Sequence, residues 1–183
     1  RGVMTRRVAI VGGGFGGTEL ARRLQGRLPE GWETVLISTE NYTLYTPLLA
    51  EVAGASLLPS HATASIRQLA RKTRFLRARV IAVDAHASTL RYRGVGMPDE
   101  RVLDYDHLVL AFGTASNLDL IPGMARHALP LKTLGDALYL RNQLIERLEE
   151  ASIEDEPRRR RRKLRFAVVG GGRPEPAGRI GGF

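Results

Sequence analysis

With 183 residues, of which 43% are hydrophobic, the chain can bury the core of one domain, or of one domain and part of another. It contains no cysteine, which excludes disulfides, thiolate metal ligands and redox-active dithiols. Its net charge of +9 includes an unbroken basic run at residues 158–163, but no aromatic residue interrupts that run as a base-stacking site requires, so nucleic-acid binding is not expected.

An apolar run near the start of the chain ends directly in closely spaced glycines. A strand is predicted at residues 7–11, and Gly12, Gly14 and Gly17 follow it with the spacing G-x-G-x-x-G. A helix that runs to about residue 26 comes next. This order is typical of a dinucleotide pyrophosphate site: Gly12 allows the tight turn, Gly14 lets the backbone approach the phosphates, and Gly17 lets the helix pack on the strand. A glycine-rich loop without a ligand is the alternative.

A second strand at residues 34–37 completes a strand–helix–strand unit of the length found in a Rossmann half. Residues 38–62 are predicted to be irregular, and they are too long to be a passive connection in a compact domain. A helix at residues 64–72 is predicted to turn Ile66 and Leu69 towards the core.

Three short strands are expected next, at residues 78–83, 89–93 and 101–103, with turn signals at 94–99. They indicate an antiparallel meander inserted into an α/β frame. After the meander, a buried parallel strand is predicted at residues 108–111, where Leu-Val-Leu-Ala forms a continuous apolar run.

A capped helix and a charged segment follow. Thr133 and Asp136 have the spacing of a capping box, and leucines recur at helical spacing through residues 133–150. We interpret this helix as scaffold whose apolar stripe packs on the core. Acidic residues between 149 and 156 precede the basic run 158–163, and we expect an oppositely charged loop in solvent, with attraction to an anionic leaflet as a secondary interpretation.

A second strand–glycine unit is predicted at residues 166–169, followed by the three glycines 170–172. Two prolines then stand where a helix is expected to begin, so the repeat breaks off. The predicted organisation is a nucleotide-binding domain at 4–120, a connecting segment at 121–163 and the truncated start of a second nucleotide-binding domain at 164–183.

Four passages carry a family resemblance: GGGFGG at residues 12–17, ENYTLYTPLLAEVA at 40–53, LDYDHLVLAFGT at 103–114, and a segment at 121–142. With them the chain resembles the type II NADH dehydrogenases, which are single-chain NADH:quinone oxidoreductases of the FAD-dependent pyridine nucleotide-disulfide oxidoreductase superfamily. The second and fourth passages are specific to this branch. Disulfide reductases and sulfide:quinone oxidoreductases use cysteines that this chain lacks.

The resemblance implies an α/β fold class: a Rossmann-like FAD-binding domain with an inserted antiparallel β-meander, followed by the truncated start of a second Rossmann-like domain for NADH. It also implies that the glycine motif contacts the FAD pyrophosphate and that Thr46 and Pro47 lie against the isoalloxazine ring. The usual acidic residue for the adenosine ribose is replaced by Ser38, so either Ser38 or Glu40 binds the ribose. The cofactor-binding residues implied in this way are Gly12, Gly14, Phe15, Gly16, Gly17, Ser38, Glu40, Thr46, Pro47, Val80, Ala111, Gly113 and Thr114 for FAD, and Gly170 and Gly172 for NADH.

The activity implied by the resemblance is two-electron transfer from NADH through FAD to a quinone. It needs no metal and no catalytic side chain from this chain, and we interpret His61 and His107 as structural or solvated residues. The full-length parent is expected to be cytoplasmic and peripheral to the inner face of the membrane, with a homodimer left open. The alternative is a non-catalytic FAD-binding remnant. Because the second unit breaks off, we expect at most weak flavin binding and no turnover from this chain alone.

Overall fold

The computed structural model describes residues 5–170, which fall into two compact units, one that ends at Arg141 and one that begins at Asn142. Strands dominate the first unit: β1 Arg6–Val11, β2 Trp32–Ser38, β3 Tyr42–Leu44, β4 Thr63–Ser65, β5 Arg74–Asp84, β6 Thr89–Gly94, β7 Glu100–Asp104 and β8 His107–Leu110. The helices are α1 Phe15–Leu24, α2 Leu49–Ala53, α3 Ile66–Leu69, α4 Met124–His127, α5 Leu134–Ser152 and α6 Pro157–Lys163, with 3₁₀ turns at Thr46–Leu48 and Pro59–Ala62.

Six strands form one sheet in the order β7-β6-β5-β2-β1-β8. Strands β1, β2, β8 and the first part of β5 run parallel, whereas β5, β6 and β7 form the expected antiparallel meander. The meander shares β5 with the parallel part of the sheet. Residues 74–77 of β5 pair with β2, and its residues 78–84 pair with β6. The α/β fold class is confirmed.

The two faces of the sheet bury separate apolar clusters, and the alternation along β1 supplies both. Ile10 packs with Ala21 of α1 and Ile66 of α3 on one face. Ala9 packs with Leu90 and other meander residues on the opposite face. Both β1 residues are fully buried, as expected for a central parallel strand that is covered on both sides. The sequence-predicted β1 and β2 and the helix after the glycine motif are therefore confirmed.

The passage predicted to be irregular, residues 38–62, instead holds short elements: β3, α2 and two 3₁₀ turns. The predicted helix at 64–72 is largely wrong, because residues 63–65 pair with β3 as strand β4 and only the single turn α3 follows. Ile66 is buried as predicted, but Leu69 is 37% exposed. Pairing with a distant strand has overridden the local helical pattern here.

Strand β8 is parallel to β1 as predicted, but the expectation that it is buried is wrong. Within residues 5–170, β8 is an edge strand that pairs with β1 alone, and Leu110 is 57% exposed. An apolar run alone does not distinguish an edge strand from a central one.

The capping box at the start of α5 is confirmed. The Asp136 N–H donates to the Thr133 hydroxyl at 3.1 Å, and the Asp136 carboxylate accepts the Thr133 N–H at 2.7 Å. The first turns of α5 pack as scaffold, since Ala137 is fully buried against Leu49 and Val52 of α2. Farther along the predicted stripe, Ile145 and Leu148 are exposed, so that part of the stripe was wrong.

In the second unit, the predicted charged loop is wrong, because residues 157–163 form helix α6. Glu156 caps it by accepting the N–H groups of Arg158 and Arg159 at 2.9 and 2.7 Å, and Lys163 pairs with Glu150 at 2.8 Å. The predicted strand at 166–169 is also wrong. These residues are irregular and exposed, since the described part of this unit offers no other strand to pair with. Residues 171–183, including the two prolines, lie outside the described residues.

No helix within residues 5–170 has both the length and the apolar character needed to cross a bilayer.

The burial difference between Ile66 and Leu69 leads to a stability prediction. Replacing Ile66 with Ala should lower the free energy of unfolding by about 2–5 kcal/mol, because the cavity forms in the cluster shared by β1 and α1. Leu69→Ala, made in the same turn, should cost less than about 1.5 kcal/mol because its side chain is partly exposed. Urea unfolding followed by circular dichroism measures both, and equal losses would contradict the observed orientation of the turn.

Candidate functional site

The carboxyl ends of the parallel strands open into a cavity of about 680 Å³. The chain places β2 and β5 on one side of β1 and β8 on the other, so the crevice lies where the order of strands reverses. Such switch points are the usual ligand sites of open α/β sheets, and this volume is typical of them. The cavity is lined by residues 11–16, 37–40, 78–80, 110–113 and 132–134, together with Tyr42, Leu44, Thr46 and Val83.

Two glycines of the motif allow the backbone to converge at the end of β1. Gly12 has φ +117°, and a Cβ there would overlap the carbonyl oxygen of Ala111 beyond β8. A Cβ on Gly17 would overlap the carbonyl oxygen of Gly12. The predicted roles in turn and packing are thus confirmed. Gly12 also has a role that the motif did not predict, because it lets β1 and β8 end side by side.

Gly14 and Gly16 differ from Gly12 and Gly17, because a Cβ on either of them would point into open space. Apart from the adjacent residues and the backbone of α1 itself, no atom lies within 4 Å of the position that a Cβ would take on either residue. Gly14 is the N-cap of the ten-residue α1, no side chain caps that end, and its first turn contains no acidic residue. The first N–H groups of a helix lack partners within the helix and attract anions. This end of α1 therefore has the space and the polarity that a pyrophosphate requires.

The side of the cavity near β2 and β5 carries polar groups. Ser38 ends β2 with its hydroxyl beside the glycine loop, because a Cβ on Gly13 would lie 2.7 Å from the Ser38 Oγ. Glu40 is exposed and also lines the cavity. Burial raises the pKa of the neighbouring Tyr42 phenol, and the Glu40 carboxylate raises it further. Ser38 and Glu40 both reach this end, so both candidates for the ribose remain.

A register shift in β5 shapes the same end. Val80 pairs with Tyr92, but the register shifts between Val80 and Ala82, and Val83 then pairs with Leu90. The extra residue reverses the alternation, so Val83 joins Val80 on the cavity side. The predicted Val80 therefore lines the cavity as part of an apolar wall.

On the opposite side, Gly113 follows β8 and Lys132 contacts Thr114, and both line the cavity, as does Thr46. Gly17, Pro47 and Thr114 were predicted as contacts but are not lining residues. The Thr114 hydroxyl instead accepts a hydrogen bond from the Lys132 Nζ at 3.4 Å. The residues predicted for the first site that do line the cavity are Gly12, Gly14, Phe15, Gly16, Ser38, Glu40, Thr46, Val80, Ala111 and Gly113.

Of the two glycines predicted for NADH, the structure describes one, Gly170, and it is not among the residues that line this cavity. Gly170 ends an exposed irregular segment with φ +80°, and Gly172 lies outside the described residues. Their role stays a prediction. His107 has a structural contact, since its ring stacks on Trp32 with centroids 5.5 Å apart.

Arg79 and Lys132 line the cavity but were missed by the sequence reasoning. Arg79 lies next to Val80 in a strand whose basic residues are mostly exposed, so the sequence did not distinguish Arg79 from the other arginines of β5. Lys132 could have been noticed, because it directly precedes the capping box and the start of a long helix.

Residues 6–173 match the pyridine nucleotide-disulphide oxidoreductase family, and the chain belongs to that family. It is 33% identical over 177 residues to an external alternative NAD(P)H-ubiquinone oxidoreductase, B3, of Arabidopsis thaliana mitochondria, covering 91% of this chain and 30% of the relative. It is 33% identical over 169 residues to the type II NADH:quinone oxidoreductase NdhA of Mycobacterium tuberculosis, covering 91% of this chain and 35% of the relative. The chain thus spans about a third of the length of these relatives.

The structure of NDH2 from Plasmodium falciparum in complex with NADH superposes with a TM-score of 0.75 at 25% identity, covering 85% of this chain and 32% of that one. The sulfide:quinone oxidoreductase of Aquifex aeolicus shares the fold, with a TM-score of 0.65 at 23% identity. The resemblance to type II NADH dehydrogenases is confirmed, and FAD is the typical cofactor of this family.

The glycine geometry predicts different effects for two similar substitutions. Gly17→Ala should lower the free energy of unfolding by about 1–3 kcal/mol, because the added methyl group meets the Gly12 carbonyl oxygen. Gly14→Ala should cost about 1 kcal/mol or less, because its added methyl group points into open space. Urea unfolding compares the two, and a larger loss in Gly14→Ala would contradict this geometry.

Proposed function

We propose that the chain binds FAD in the crevice at the carboxyl ends of β1, β2, β5 and β8, and that it supplies the flavin site of an NADH:quinone oxidoreductase. The observation that carries the proposal is the open space at Gly14, at the uncapped N-terminus of α1 and between the ends of β2 and β8. The similarity to type II NADH:quinone oxidoreductases supports the choice of reaction.

The N–H groups at the start of α1 bind the pyrophosphate, which carries the largest negative charge of the cofactor. Ser38 or Glu40 accepts hydrogen bonds from the ribose hydroxyls. Val80 and Val83 form an apolar wall on the same side of the cavity. Thr46, Gly113 and Lys132 bound the side that receives the other half of the dinucleotide.

Bound FAD supplies the two-electron chemistry that joins a nicotinamide donor to a quinone acceptor. The residues of this chain hold and orient it, and the reaction requires no acid or base from them. NADH and a quinone are the proposed substrates. We also propose that the whole protein works as a peripheral protein at the inner face of a membrane, where quinones dissolve. A homodimer stays an open prediction.

The test of FAD binding uses Gly14→Val. The valine side chain fills the space next to the α1 N-terminus, so FAD affinity should fall below detection in a fluorescence titration of the purified chain. Gly135→Ala is the matched control, because it adds a methyl group in an ordinary contact 3.7 Å from the Thr133 Oγ1 and does not line the cavity. If Gly14→Val bound FAD as tightly as the wild type, the pyrophosphate assignment would be wrong.

A second titration decides between Ser38 and Glu40. A hydrogen bond to a charged carboxylate contributes about 1.5–3 kcal/mol, so Glu40→Ala should weaken FAD binding about tenfold or more, whereas Ser38→Ala should cost less. Glu40→Gln checks that the Glu40 carboxylate acts on this end of the cavity. Removing its negative charge should lower the raised pKa of Tyr42 towards its usual range. The reverse order of affinities would assign the ribose to Ser38.

A further inference from the structure

Among the residues that line the cavity, the charged ones lie at opposite ends. Glu40 follows β2 and Arg79 belongs to β5, whereas Lys132 contacts Thr114, just beyond β8. The glycine loop after β1 separates the two ends, because β1 lies between β2 and β8 in the sheet. The proposed function places the pyrophosphate at this loop and the ribose near β2. The half of the cofactor that carries the flavin ring therefore lies on the side of Lys132.

The position of Lys132 is fixed by the start of α5. Its backbone N–H donates to the Asp136 carboxylate at 2.9 Å, the same carboxylate oxygen that accepts the Thr133 N–H. The helix is anchored in turn by Ala137, which is fully buried against α2. Among the ion pairs of residues 5–170, none involves the Lys132 ammonium, which donates a hydrogen bond to the neutral Thr114 hydroxyl at 3.4 Å. The backbone of Lys132 is thus held in place, and its exposed ammonium lines the cavity on the side of β8.

We infer that Lys132 favours the reduced, negatively charged form of the bound flavin. The inference rests on the proposed function. A hydride from NADH delivers two electrons and one proton, the nicotinamide leaves as NAD⁺, and one negative charge is added to the flavin ring. Nearby protein charges tune the electronics of a flavin, and the exposed Lys132 ammonium at this side of the cavity stabilises the added charge. Lys132 is thereby a residue that sets the driving force for flavin reduction.

Sulfite binding tests this charge without NADH or a quinone. The sulfite electron pair forms an S–N bond at flavin N5, and negative charge moves onto the ring, so the affinity reports how well the site stabilises that charge. With the protein in excess over FAD, so that the flavin is bound, the loss of visible flavin absorbance gives the sulfite Kd. We expect Lys132→Met to weaken sulfite binding at least tenfold, and Lys132→Arg to stay within about threefold of the wild type.

The control is Lys72→Met, which removes an exposed ammonium that does not line the cavity. It should leave the sulfite Kd unchanged. The same set of variants should show a lower flavin midpoint potential in Lys132→Met alone, measured against a reference dye. Neither substitution at Lys132 removes the backbone hydrogen bond to Asp136, so the start of α5 is retained.

The outcomes separate this inference from the proposed function. If the wild type binds FAD but Lys132→Met binds sulfite as tightly as the wild type, the role of Lys132 is overturned and the FAD site stands. If Lys132→Met and Lys132→Arg weaken sulfite binding equally, the effect comes from shape and the inference is also overturned. If the wild-type chain binds no FAD, the proposed function fails, and the inference fails with it.

Discussion

The convergence of three backbone segments at the end of β1 determines the rest of this structure. Gly12 lies against the backbone of Ala111, and Gly17 lies against the carbonyl group of Gly12, each closer than any side chain allows. As a result, β8 ends beside β1, and α1 starts directly over the strand end. If either contact were opened by a side chain, the crevice between the strand ends and the helix would lose its shape. The space at Gly14 depends on this convergence.

The sheet gives the crevice two chemically different ends. Strand β5 is parallel to β2 at first and then joins the meander, so its shifted register brings Val80 and Val83 to the cavity beside Glu40. At the other end, the capping box of α5 brings Lys132 to the cavity. An elongated ligand with a polar sugar at one end, phosphates in the middle and a redox-active ring at the other fits this distribution.

Local signals were enough to predict the glycine site. Strand, glycine spacing and helix are adjacent in sequence, and the capping box between Thr133 and Asp136 has a fixed separation, so both features could be read before any tertiary contact was known. Features that depend on distant pairing could not. Residues 63–65 became a strand because β3 lies beside them, and residues 166–169 did not become one because no partner strand is present in the described part of their unit.

The positions of charged residues also depend on contacts that the sequence alone does not reveal. The basic run 158–163 reads as a solvated loop by composition, yet one carboxylate, that of Glu156, caps it and a helix forms. Likewise Lys132 is one of 28 basic residues in the sequence, and its place in the cavity follows from the packing of α5 on α2. Ten of the residues predicted for the FAD site line one cavity, because the motif positions follow strands that end at the same edge of the sheet.

Isothermal titration of the wild-type 183-residue chain with FAD tests the central claim most directly. We expect saturable binding of one FAD per chain, with NAD⁺ at the same concentration failing to compete for the site. A chain that is folded by circular dichroism and yet shows no saturable heat on addition of FAD would contradict the assignment of the crevice as a flavin site.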